Sequence, residues 1–311
     1  LNVSGSNLVL NCLGHRVSYG NASDTYGINV SVANTNVTVT NCTVIQTLPY
    51  ATSHAIYQVG GNTNNFSRNN LTTIGTGAAG LYVTGSGDTF WFNNVSTNGS
   101  GGANPVALGS AGNNFTNNTF GSKASIGINI AGGATGNVFD FNFINASAEA
   151  VSDVSGSGGG NNYSRNDIYV SASAINALNF DTAPTLVLFL NAIRHAGGGG
   201  TDYAVAFADT DPTNVSSNNI TSDNGKALSV TSTGFQSFNN SYSSASTGMS
   251  FWSGTTANSS NDTIYSLGNN VSLTGSLSNI TFLNTTLNLS KINYGSGINS
   301  ILFKWYVRLN V

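Results

Sequence analysis

The stretch Asn161-Asn162-Tyr163-Ser164-Arg165-Asn166-Asp167-Ile168 decides how this chain is read. Reduced to a pattern, it is an aromatic or aliphatic residue, two spacers, an asparagine, a polar residue and another apolar residue. The pattern returns along the chain, anchored at Asn41, Asn69, Asn93, Asn118, Asn142, Asn166, Asn191, Asn218, Asn239, Asn261 and Asn284. Successive anchors lie 28, 24, 25, 24, 24, 25, 27, 21, 22 and 23 residues apart. A period in the low twenties marks a solenoid, in which each repeat buries its apolar face only against its neighbours.

Around the anchors, apolar and polar residues alternate with the period of a strand. Asn36-Val37-Thr38-Val39-Thr40-Asn41-Cys42-Thr43-Val44 is one such run, and His54-Ala55-Ile56-Tyr57-Gln58-Val59 follows it in the same repeat. Two strands per repeat are therefore expected. Gly80-Leu81-Tyr82-Val83, Gly127-Ile128-Asn129-Ile130 and Gly248-Met249-Ser250-Phe251 continue the second series, and Gly/Ser/Asn clusters between them read as turns. No segment sustains a helical period, so little helix is expected. Stacked parallel strands set equivalent residues about 4.8 Å apart. Asparagines at one turn of every coil then form a ladder, each amide donating to the next carbonyl. All eleven anchors are assigned to it, in a structural rather than catalytic role.

Composition narrows the classes. Of 311 residues only 7% are charged and 39% are hydrophobic, close to a low-complexity balance. The 16 Phe, 12 Tyr and regular apolar pattern argue for a packed rod instead. A net charge of −3, with nine basic residues scattered singly, leaves no footprint for nucleic acid. No apolar run is long enough to span a bilayer, and no basic-then-apolar leader opens the chain. Leu1 in place of methionine implies a removed leader or an excerpt. Asn-x-Ser/Thr sequons exceed what the composition alone would generate. They support export to an extracellular or cell-surface location, with Asn21, Asn98, Asn145 and Asn214 as glycosylation candidates.

The pattern resembles the right-handed parallel β-helix superfamily with the pectate-lyase-like fold, and within it the repeat proteins of microbial cell surfaces. Val9-Leu10-Asn11-Cys12-Leu13-Gly14-His15 looks like the first coil of many such proteins, and the asparagine ladder is similar to their second turn. The resemblance spans Asn7 to about Leu289. It implies an all-β fold: a single-stranded parallel β-helix of about 12 coils over residues 1–298. Residues 299–311 leave the repeat as an amphipathic capping or linking strand. Phe180–Pro212, the longest departure, reads as a loop outside the helix.

Fold does not fix chemistry. Cys12 and Cys42 sit in corresponding stretches of consecutive coils, and both a disulfide and a buried pair of thiols fit them. The resemblance implies that catalytic relatives use clustered calcium-binding aspartates with an arginine, or several aspartates on neighbouring coils. Here Asp202, Asp209 and Asp211 beside Arg194 form the dense acidic group, a weak calcium site against turn capping as the plainer account. No other cofactor is implied. His15, His54 and His195 are isolated, and Trp91, Tyr57 and Trp252 are candidates for a sugar-stacking face or for packing. The expectation drawn from these residues is a non-enzymatic extracellular protein, self-associating through its ends or edges into a surface layer, adhesin or filament. The alternative is a polysaccharide lyase, hydrolase or carbohydrate-binding module using the outer face.

Overall fold

The computed structural model describes residues 1–22, 24–31, 34–154, 156, 160–171, 176–181, 185–197, 199, 201–208 and 214–305. They form an all-β solenoid of about 12 coils. Three parallel sheets run its length: the first from Asn2–Val3 to Ile292–Asn293 with 13 strands, the second from Val9–Asn11 to Ser300–Lys304 with 13, the third from Arg16–Tyr19 to Thr263–Ser266 with 11. The single 3₁₀ turn Leu289–Lys291 is the one helix among the described residues.

Each coil thus has three strands, not the two read from alternation, as in Leu81–Val83, Thr89–Trp91 and Asn94–Thr97. The run around Asn41 is two strands, Thr38–Thr40 and Thr43–Gln46, separated by a corner at which Asn41 takes φ 55°. That left-handed residue turns the chain from the second sheet into the third. It slips the in–out alternation by one residue, and this slip is what the two spacers of the repeat record.

One further expectation changes. Much of the stretch read as an outer loop is coil, since Asn176–Asp181, Val187–Phe189, Ala192–His195 and Tyr203–Ala208 are strands in register with their neighbours. Among the described residues the charges there, Asp181, Arg194 and Asp202, are not buried and do not interrupt the inward series. Beyond residue 299, Ser300–Lys304 pairs in parallel with Asn279–Leu283 as the last strand of the second sheet, while residues 306–311 lie outside the described residues.

The interior is held by stacked identical chemistry. Asn69, Asn93, Asn118, Asn142, Asn166, Asn191 and Asn218 are all buried at the corner between second and third sheets. Asn142 shows the unit. Its Oδ1 accepts from Asn118 N and Nδ2 at 2.9 and 3.0 Å, while its Nδ2 donates to Asn166 Oδ1 at 3.0 Å and to Phe115 O at 2.9 Å. All the hydrogen-bonding capacity of the amide is used, so a group that is costly to bury unpaired becomes stabilising. Asn41, Asn239, Asn261 and Asn284 are not in this ladder. They occupy the preceding left-handed position, at φ 51° to 56°, which asparagine tolerates well. Cys42, Asn240, Asp262 and Thr285 take the inward places. Asn240 accepts from Asn218 and donates to Asp262 Oδ1 at 3.0 Å.

A second ladder went unread in the sequence. Asn64, Asp88, Asn113, Asn137 and Asn161 stack at the corner between first and second sheets, each accepting from the backbone N–H of the previous rung except Asn64, which accepts from Val37 N. Between the two ladders runs a column of rings, Phe66, Phe90, Phe115, Phe139 and Tyr163, with centroids 4.5 to 5.0 Å apart. The signal was Asn/Asp-x-Phe/Tyr-x-x-Asn, of which only the second half was used. At the other end of the first ladder, Cys12 and Cys42 are joined by a disulfide, and Cys42 N donates to Asn69 Oδ1 at 3.0 Å. The covalent link therefore continues the amide series into the first coils.

These environments set two expectations. Asn142→Ala strands several buried partners at once and is expected to cost ~4 kcal/mol. Asn117→Gly, at an exposed left-handed corner with φ 55°, should stay within ~0.5 kcal/mol of the parent. Urea titration followed by circular dichroism measures both, and comparable costs at the two sites would refute the ladder's role.

Asp88 provides the pH test. Burial pushes its carboxyl up to about 7, against the opposing hydrogen bonds from Asn64. Between about pH 4 and 7 the unfolded chain then ionises while the folded one holds its proton, so this group's contribution falls as pH rises and levels off above 7. Asp88→Asn should gain ~2 kcal/mol over the parent at pH 8 relative to pH 4. Melting curves for both chains at the two pH values check this, and a parallel response in the two chains would exclude it.

Candidate ring cluster on the first sheet

The outer face of the first sheet carries one row of residues, one per coil, that includes Asn29, Tyr57, Tyr82, Ala107 and Asn129 in strict register. Two residues before each strand begins, Tyr26 and His54 occupy matching places in consecutive coils, because Ile28 pairs with Ile56. Register alone therefore brings four rings into two neighbouring columns. Tyr26 stacks on Tyr57 at 4.0 Å and Tyr57 on Tyr82 at 5.1 Å, while His54 stacks on Tyr82 at 4.6 Å and lies 5.8 Å from Tyr26. The three tyrosines are half-buried and His54 is buried.

Local sequence explains the placement. Gly80 precedes the strand bearing Tyr82, and a Cβ there would come within 2.1 Å of Val95 in the third sheet, so only glycine lets the strand approach so closely. The next residue back, Ala79, donates its N–H to His54 Nδ1 at 2.9 Å. That bond leaves the neutral ring's proton on Nε2. Burial lowers the His54 pKa to about 4, with Asp24 opposing the shift, so the imidazole is uncharged at neutral pH. Asp24 is itself held by a hydrogen bond from Thr52 Oγ1. Burial first, then the neighbouring Tyr57, raises the Tyr26 phenol above its ordinary value.

At its far end the cluster stops in a step. The residue after Tyr82 in the row is Ala107, and after it Asn129. A tyrosine ring followed by a methyl group leaves one ring face without a stacking neighbour. The vacancy is one coil deep, about 4.8 Å, the thickness of one stacked ring. Ala107 and Asn129 are the next two residues of the row beyond that ring face, and both are half-buried. Farther along the same face, half-buried Asn179 follows in the row, and Trp252 donates Nε1–H to Ser229 Oγ at 3.1 Å.

The residues singled out from sequence scatter differently. Tyr57 and His54 belong to the cluster; Trp91 and Trp252 do not, with Trp91 on the second sheet donating to Asn65 Oδ1 at 2.8 Å. His15 is exposed beside the disulfide and His195 is buried in the third sheet. Asp202 caps its own turn, accepting from Gly199 N at 2.6 Å, and Asp209 and Asp211 lie outside the described residues. Arg194 pairs with Asp223 at 2.8 Å. Among the described residues no group of three or more His, Cys, Asp or Glu side chains is placed to hold a metal ion. Asn21, Asn98, Asn145 and Asn214 are all exposed. Tyr26, Tyr82 and Asp24 were missed. The available signal was the alignment of Tyr26 with His54 and of Tyr57 with Tyr82 once the coils are set in register.

No known family model and no curated relative matches the sequence. Among solved structures the fold is similar to the A-module of the mannuronan C-5 epimerase AlgE6 of Azotobacter vinelandii, at 13% identity over 98% of this chain and 91% of that one, with a TM-score of 0.54. It is similar also to the Agl-KA catalytic domain, at 10% identity over 95% of this chain and 62% of that one, with a TM-score of 0.51. At these identities the likeness is one of fold, and it agrees with the resemblance to pectate-lyase-like parallel β-helix proteins. It also corrects the expectation of a non-enzymatic layer, adhesin or filament subunit. The similar rods are a module of an epimerase and a catalytic domain, so a β-helix of this kind does not by itself imply a structural subunit. Composition misled because a charge-poor, amide-rich rod is what the fold needs internally, whatever its outer face does. No described helix is long and apolar enough to cross a membrane.

Proposed function

We propose that this protein is carbohydrate-active, and that a polysaccharide chain lies across the outer face of the first sheet with one sugar seated on Tyr82 above Ala107. The step in the ring cluster is the observation that carries the reading. A pyranose has an apolar C–H face suited to the open side of Tyr82 and a rim of hydroxyls suited to amides such as Asn129.

The chemistry best supported is proton transfer on the bound sugar, rather than hydrolysis. Glycoside hydrolysis ordinarily needs two carboxylates flanking the scissile bond. Among the described residues, the carboxylate that bears on this cluster is Asp24. What the cluster offers instead is an uncharged imidazole whose Nε2–H can donate a hydrogen bond to negative charge developing on a sugar, beside three phenols that can hydrogen-bond to it. Inversion at a ring carbon and chain-cleaving elimination both develop such charge next to the sugar's carboxyl carbon when a ring proton is removed. Export fits this reading, since a disulfide persists in oxidising compartments and exposed sequons suit a secreted chain.

The test uses a panel of neutral and uronate polysaccharides, with binding followed by affinity electrophoresis and turnover by proton NMR. The unaltered chain should bind and convert at least one polymer. Tyr82→Ala should weaken binding about tenfold, the loss expected of one stacking ring. His54→Gln should abolish turnover while binding persists. Absence of binding to every polymer, or full turnover in His54→Gln, would dispose of the proposal.

A further inference from the structure

A second surface feature lies away from the first sheet, at the corner where the second sheet turns into the third. Every coil places one left-handed residue there. In order they include Arg68, Phe92, Asn117, Phe141, Arg165, Leu190 and Ser217, all with φ between 53° and 57°. Adjacent corners are successive rungs: Phe92 N donates to Thr116 O, Asn117 N to Asp140 O, Phe141 N to Ser164 O and Arg165 N to Phe189 O. Asparagine suits this conformation, and Asn41, Asn239, Asn261 and Asn284 use it in the outer coils. Phe92, Phe141 and Leu190 do not suit it. Each nevertheless stands there in the open, 52%, 49% and 47% exposed. The fold neither needs an apolar side chain at these points nor favours one. Strained, exposed, bulky residues of this kind gather at binding surfaces.

Their spacing identifies the occupant. Phe92, Phe141 and Leu190 fall on every second rung, so the apolar plates repeat at about 9.6 Å along a straight axis. Between them come Asn117 and Arg165, which carry hydrogen-bond donors. Arg165 lies over the Phe141 ring at 4.2 Å and is fixed by Asp140, with its Nε 2.9 Å from Oδ1. Arg68 lies over Trp91 at 4.8 Å at the start of the row, beside a shallow cleft of about 350 Å³ lined by Leu13, Asn41 and Thr43. Even with exposed Phe143 and Phe189 beside it, the row is a strip a few residues wide, narrow for the area a stable protein interface buries. An extended peptide would need an open strand edge, whereas the strands beside the row are paired on both sides. A linear polymer with a two-residue repeat, an apolar face and a polar rim meets all three requirements.

We infer that Arg68, Phe92, Phe141, Arg165 and Leu190 form a docking track for an extended, β-1,4-linked polysaccharide lying parallel to the rod axis. The track is separate from the ring cluster and holds the polymer without altering it. It places the chain as a ribbon whose alternate sugars rest on the apolar plates.

The test is the triple variant Phe92→Asn, Phe141→Asn, Leu190→Asn, which installs the residue already used at Asn117 and Asn239. Its melting temperature should equal or exceed that of the parent, because the left-handed strain is relieved. Affinity electrophoresis in gels of hydroxyethyl cellulose and of polymannuronate, one neutral and one anionic β-1,4 chain, reads the binding. Retention of the parent by at least one polymer, reduced about tenfold or more in the triple variant, supports the track. Unchanged retention in the triple variant overturns it, as does failure of both gels to retain the parent. Retention lost only in Tyr82→Ala overturns the track while leaving the ring cluster as the carbohydrate site. If the triple variant melts without cooperativity, Phe141→Asn alone carries the same comparison.

Discussion

An amide buried inside a rod must find partners for two donors and two acceptor positions, and in this protein it finds them in copies of itself. Asn142 takes hydrogen bonds from the coil below and gives them to the coil above, with the remaining donor closing on a backbone carbonyl. No single coil can satisfy that set. The amide is stabilising only when neighbours on both sides are in register, so the ladder enforces the stacking that the hydrophobic interior would tolerate in several alignments. Rings reinforce the same register, since Phe90 meets Phe115 face to face at 4.5 Å only when the coils are aligned. The few buried acids obey the rule as well: Asp262 ends the first ladder by accepting from Asn240, Ser237 and Ser259.

Because register is fixed from inside, the outer surface is free to vary while remaining precisely spaced. Tyr57 and Tyr82 are stacked because Ile56 and Leu81 beneath them are paired. The same constraint sets the rows at the corners. A surface built this way is pre-organised by packing it does not touch, and a bound polymer would not have to order it. Rigid aromatic positions with little side-chain entropy left to lose are the economical way to hold a weakly adhesive ligand such as a sugar.

How much of this could be read from the sequence depended on whether a feature lived within one coil or between two. The rod was legible because Asn69 to Asn218 recur at near-constant intervals behind an apolar residue. The exact rung was not, wherever two candidates adjoin: Asn239-Asn240 and Asn261-Asp262 offer a corner residue and an inward residue side by side, and only the backbone turn tells them apart. Taking Cys42 and Asn240 as the rungs changes the outlying spacings from 28 to 27 and from 21 to 22, a regularity available from the start. The second ladder hid because Asp88 breaks its run of asparagines. The ring cluster was out of reach for a stronger reason: His54 looked isolated because two of its partners, Tyr26 and Tyr82, are 28 residues before and after it, and contact between them is a property of the coil pitch.

One quantity joins scaffold and site. Between Asn69 and Asn191 the rungs are 24 or 25 residues apart, nearly the minimum seen here for three strands and three corners, and such coils have little chain to spare for the surface. The coil from Cys42 to Asn69 takes 27 residues. Most of its surplus lies between the third and first sheets, in the exposed Leu48-Pro49-Tyr50 and in Thr52, which fixes Asp24 against the ring cluster. Added length at a corner costs little in chain entropy, since loop closure grows only slowly with loop size. The repeat can therefore lengthen without loosening the ladder, and the added residues can stand only outside the rod. Departures from the shortest period thus mark where surface chemistry can be built, and the cluster holding His54 stands beside one of them.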